Sequence, residues 1–104
     1  MIIVNTDKIE GKKIVNTLGL VKGNTIRARW FGRDIMSGLK QIVGGELKSY
    51  TQMMTDAREQ AINRMVEEAK KLKADAVINV RFTSSQVMQS AAEILVYGTA
   101  VKLK

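Results

Sequence analysis

The chain has 104 residues, with seventeen Lys or Arg against ten Asp or Glu, a formal charge of +7, and no cysteine, histidine or proline. That length suits a single domain, 1–104, with one modest core. Without cysteine there are no disulfides or thiolate nucleophiles, and without histidine the usual neutral-pH base and the commonest imidazole ligand are gone.

No apolar run approaches the ~18 residues of a membrane span, and the start MIIVNTDKIEG has neither the basic nor the apolar region of a signal peptide. A cytoplasmic protein without membrane contact is therefore expected. The basic residues are scattered from Lys8 to Lys104 with no run longer than two. A solvated, solubilising surface is the preferred reading of that pattern, and nucleic acid is not the expected partner.

In chain order, Ile2 to Asn5 is a short β-prone run. Ile14, Val15, Leu18, Leu20 and Val21 predict a strand within Lys12–Val21. Lys22-Gly23-Asn24 reads as a turn, and Thr25 to Trp30 alternates apolar with polar, the period of a half-buried strand. The two strands should form a hairpin, with Arg27 and Arg29 in a positive row on the outer face. Gly32 to Val43 predicts a shorter helix through Ile35, Leu39 and Ile42, and Gly38 within it suits close packing.

The dominant element is Gly44 to Lys73, one long amphipathic helix launched from the Gly44-Gly45 turn. At ~100° per residue, Tyr50, Met54, Ala57, Ala61, Met65 and Leu72 form a core-facing stripe. Ile62, Val66 and Ala69 widen the arc beyond what one sheet needs, which suggests a second contact surface. Ser49 with Gln52 fits a capping box. Glu67 with Lys71, and Arg64 with Glu68, are i,i+4 pairs. Ala76, Ile78, Val80 and Phe82 then alternate as a strand. Thr83 to Ala92, rich in Ser and Gln, reads as a turn or mobile loop. Ile94 to Leu103 closes the chain as a strand buried on both faces, in which Gly98 marks a bulge or a close approach.

The run from Gly19 to Phe82 closely resembles the YbjQ-like family of small bacterial and archaeal proteins labelled heavy-metal-binding. Gly44-Gly45-Glu46, Ala57-Arg58, Asp75-Ala76-Val77 and Gly98-Thr99-Ala100-Val101 carry the likeness most specifically. The family pattern has glycine after the long helix, where this chain has Lys73. The resemblance implies a dodecin-like subunit, an antiparallel sheet against a long helix, assembled with copies of itself as a ring, a homopentamer. It carries no established activity.

Candidate chemistry is sparse. Met53, Met54 and Met65 could offer thioethers to Cu(I), but methionine is ordinary packing material and core packing is preferred. Asp34 and Glu46 flank glycines and could bind a hard cation or stabilise helix ends. Arg58 and Glu68 fall within or beside the apolar arc, where a charge needs a partner. An ion pair between subunits is the leading explanation, and an anion site of Arg33 with Arg58 the alternative. No catalytic set, P-loop or dinucleotide fingerprint occurs. The expectation is an α+β domain: an antiparallel sheet from the Val15, Ile26, Ile78 and Val96 strands, one long helix and a shorter one. Its expected role is a non-enzymatic, cofactor-free, homo-oligomeric binding or scaffold protein of unknown ligand. The alternatives are heavy-metal binding and weak nucleic-acid or anion binding.

Overall fold

The computed structural model describes residues 1–28, 48–88 and 91–104. Among the described residues, four strands and one helix follow in the order β1 (Ile2–Ile3), β2 (Ile14–Ala28), α1 (Lys48–Lys71), β3 (Ala76–Met88) and β4 (Ala91–Leu103). The shorter helix predicted for Gly32–Val43 lies outside the described residues. The strands form one mixed sheet in the order β1-β3-β4-β2, in which β1 runs parallel to β3 and the other neighbours are antiparallel. The sheet is thus not wholly antiparallel as expected.

The predicted hairpin at Lys22-Gly23-Asn24 does not form. Strand β2 runs straight through it, with Val21 opposite Gly98, Lys22 opposite Tyr97 and Gly23 opposite Val96. Helix α1 explains the glycine. A Cβ built on Gly23 would collide with the Ala61 carbonyl oxygen and the Met65 amide nitrogen, so the residue is there to let two backbones touch. Two residues on, Thr25 is buried and its Oγ1 donates to the Ala57 carbonyl at 3.1 Å. Arg64 Nη1 donates to the Asn24 carbonyl, fastening the same stretch from the side.

The core between helix and sheet holds Ala57, Ala61, Met65 and Ala69 from α1 against Val21, Val77, Ile94 and Val96. Met65 is fully buried, which contributes about 1.5–3 kcal/mol. Three alanines on the contact stripe let the helix sit close to the sheet. Leu72, predicted on that stripe, is instead exposed beyond the last turn.

A second, smaller cluster lies on the other sheet face. Ala76, Ile78 and Val101 are covered there by Val4, Ile9, Ile14 and Leu103. The two clusters explain why the simple alternation of Ala76, Ile78, Val80 and Phe82 fails. Asn79 adopts a left-handed conformation, φ 53°, where the β3–β4 register shifts between Ile78 and Arg81. Ala76 and Ile78 therefore face the N-terminal segment, while Val77 and Val80 face α1. The Asn79 amide donates to the Thr6 carbonyl at 2.9 Å and that of Val80 to the Val4 carbonyl at 3.1 Å, fixing the bulge. Burial on both faces of β4 holds only near Ala100 and Val101, since Tyr97 is exposed.

Thr83 to Met88, expected as loop, continues β3, with Ser84 opposite Ile94 and Gln86 opposite Ala92. Its side chains from Thr83 to Val87 are exposed, so its polar composition records solvent on a strand rather than a turn. Gly98 is a close approach, because a Cβ there would lie 2.7 Å from Val77 Cγ1 and 2.9 Å from the Ile78 carbonyl oxygen.

The ends of α1 differ from the sequence expectation as well. Ser49 lies inside the helix, and Gln52 Nε2 donates to Asp56 Oδ1 at 2.9 Å, so the amide serves the next turn. At the C-terminus Lys73 takes φ 60°. Its amide donates to the Lys70 carbonyl at 2.9 Å and that of Ala74 to the Ala69 carbonyl at 3.1 Å. That is the Schellman closure, formed here with lysine in the position glycine usually fills.

Candidate functional site

Of the predicted ligand-binding residues, the described part of the chain contains Arg58. Arg33, Asp34 and Glu46 lie outside the described residues, and Arg58 is exposed on α1. Glu68, its suggested counterpart in the arc, is exposed and pairs with Lys71 Nζ at 3.2 Å one turn on. The predicted Arg64–Glu68 and Glu67–Lys71 pairs give way to this bond and to Arg64's grip on Asn24.

What α1 does present is a row along its flank. Arg58, Ile62 and Val66 recur every four residues, about 100° around the axis from Ala61 and Met65. Arg64 lies on the opposite flank and reaches β2, so the Ile62–Val66 flank faces toward β3. Helix α1 rests mainly on β2 and β4 and touches β3 little. On β3, Phe82 stands opposite Val96, whose side chain is in the α1 core, yet Phe82 is 49% exposed. The margin that α1 leaves uncovered, a notch beside the helix, thus has half-buried Ile62 and Val66 on its helix side and exposed Phe82 on its sheet side, with Arg58 one turn before Ile62 in the same row.

The other sheet face carries a second surface. Where the N-terminal segment stops covering it, Tyr97 on β4 is flanked across the strands by Arg81 of β3 and Lys22 of β2. Arg81 Nη1 donates to the Asn5 carbonyl at 2.8 Å and to the Val80 carbonyl at 3.0 Å, which pins the guanidinium. Leu20 and Ile26 are exposed nearby on β2. Glu93 accepts from Asn24 Nδ2 at 3.0 Å. The basic row expected from Arg27 and Arg29 cannot be placed, since Arg29 lies outside the described residues; register brings Lys22 and Arg81, distant in the chain, to either side of Tyr97.

A family model described as "Putative heavy-metal-binding" matches residues 1–104. The chain belongs to the YbjQ family. Its relatives include UPF0145 proteins of Halorubrum lacusprofundi, 62% identical over the full length of both chains, and of Clostridium novyi, 63% identical over 99% of each. The UPF0145 protein of Methanosarcina acetivorans is 62% identical over 99% of this chain and 97% of its own. Among solved structures, a DUF74-family protein of unknown function from Pediococcus pentosaceus superposes with a TM-score of 0.66. It covers 100% of this chain and 98% of its own at 15% identity, a likeness of fold.

The donor set of this YbjQ-family chain does not fit the metal in the family description. Heavy, soft metals favour thiolate and imidazole, and the sequence contains neither. Among the described residues no three Asp or Glu side chains come together. Several described carboxylates serve the fold: Asp75 Oδ2 accepts from the Leu103 amide at 2.9 Å and Oδ1 lies 4.0 Å from Lys102 Nζ, while Asp56 holds Gln52. Met65 lies in the core and Met54 packs against that core. Among the described residues, too, no helix is long and apolar enough to cross a membrane.

Proposed function

We propose that the chain is the subunit of a non-enzymatic homo-oligomer, a closed ring of five in a dodecin-like arrangement, which binds or scaffolds a partner at its subunit contacts. The observation that supports this reading is the apolar notch beside α1. Phe82, Ile62 and Val66 leave on the surface a sheet face and a helix flank that elsewhere in the same layer are buried. Contiguous apolar patches of this kind mark association sites. In such a ring the notch of one subunit would take a different surface of the next, a heterologous contact that closes when its rotation completes the circle. The number five comes from the family resemblance.

Arg58 at the end of the notch would then meet a neighbouring subunit and find its counter-charge there. Replacing Val66 with Asp places a carboxylate in the contact. The expected outcome is a shift from the assembled species toward monomer or insoluble material, read by size-exclusion chromatography with light scattering. An unchanged oligomer in Val66→Asp would remove the notch from the interface.

Calorimetric titration of untagged protein separates this reading from the metal-binding one. With no Cys or His, the expected outcome for Cu(I), Zn²⁺ and Ni²⁺ is no stoichiometric binding at micromolar protein. Tight, stoichiometric heat with any of the three would favour the metal reading instead.

A further inference from the structure

We propose that the open face of the sheet, centred on Tyr97, is a platform for single-stranded nucleic acid. This goes beyond the oligomeric reading and does not depend on it, because the notch beside α1 is on the opposite face.

Three features of the face carry the inference. Tyr97 is 37% exposed on the central one of three long strands, so its ring is offered from a strand paired on both sides rather than from a loop. Register places Lys22 on one side of it and Arg81 on the other. With strands ~4.8 Å apart, the three side chains form one row about 10 Å wide. Arg81 is held by two backbone carbonyls, of Asn5 and Val80, so its charge is positioned in advance of any ligand. An aromatic stacking surface between cations is the arrangement by which single strands are bound without base-specific contacts. Tyr97 would stack a base, while Lys22 and Arg81 would meet the flanking phosphates.

Charge decides between this occupant and a second copy of the chain. Two copies laid face to face would each bring Lys22 and Arg81 to the contact. Among the described residues, Glu93 lies four residues along β4 from Tyr97 and accepts from Asn24, and its single negative charge does not balance the two cations that each copy would bring. A polyanion has no such conflict, and the +7 chain attracts it at long range.

Fluorescence anisotropy with a labelled short oligothymidylate tests the proposal on full-length protein. Binding should weaken with salt at a logarithmic slope of about −1.4, the value for two neutralised phosphates on a single strand. Tyr97→Ala should weaken it about tenfold or more, and Tyr97→Phe should retain it. Lys22→Glu should weaken binding and flatten the salt slope, whereas Lys71→Glu, the same charge change at the end of α1, should leave the slope nearly unaltered. Circular dichroism melting of each variant confirms that it is folded, and Tyr97→Phe provides a reading should Tyr97→Ala unfold. Absence of binding at low salt, or equal losses from Lys22→Glu and Lys71→Glu, would overturn the platform. So would a fall in assembly mass on Tyr97→Ala, which would make the face a contact between copies.

Discussion

Two residues carry more of the fold than their size suggests. Gly23 permits β2 and α1 to touch backbone to backbone, and a methyl group there meets main-chain atoms of Ala61 and Met65 that cannot rotate away. Gly23→Ala is expected to cost about 3 kcal/mol or more, at the upper end of overpacking effects. Urea unfolding at fixed protein concentration measures it, and a loss below about 1 kcal/mol would mean the helix sits further out than described. Lys73 presents the opposite case, a residue with a Cβ in the left-handed region, φ 60°, closing a Schellman motif. Lys73→Gly relieves that strain but adds freedom to the unfolded chain, and the balance favours the variant by about 0.5–1 kcal/mol. A lowered melting temperature for Lys73→Gly would contradict this account of the helix end.

At the level of elements, periodicity found the long helix because it buries one continuous stripe, and the final strand was legible from its near-continuous apolar run. Ala57, Ala61 and Met65 are core as their spacing required. It misread β2 because a glycine flanked by Lys and Asn has the composition of a turn, whereas its cause is a helix backbone forty residues away in sequence. It misread Thr83–Met88 because a solvent-facing strand has loop-like composition. The bulge at Asn79 was invisible for a related reason: it is held by Thr6 and Val4, from the other end of the chain. Of the candidate site, Arg58 and the surplus arc through Ile62 and Val66 were legible, since helical spacing places them together. Phe82 beside them and the Lys22–Tyr97–Arg81 row were not, because strand register alone makes those residues neighbours. Native-state hydrogen exchange distinguishes one strand from a hairpin directly. Within Lys22–Asn24, amides directed at β4 should exchange slowly, whereas fast exchange throughout would restore the turn.

At the scale of the whole molecule, the chain is elongated. Its radius of gyration is 16.9 Å and its extents are 52 × 27 × 17 Å, against about 13 Å for a compact domain of this length. The 24-residue helix accounts for about 36 Å of that length. It lies over only part of a sheet whose strands β2, β3 and β4 run thirteen to fifteen residues. A thin slab of this shape leaves Phe82 exposed and Ile62 and Val66 only half-buried, and a neighbouring copy would offer the missing layer. Self-association would be read from the absolute mass of the untagged protein in solution. Sedimentation equilibrium at micromolar concentration should give about five times the 11.6 kDa chain mass, and a species at the mass of one chain would rule out the ring.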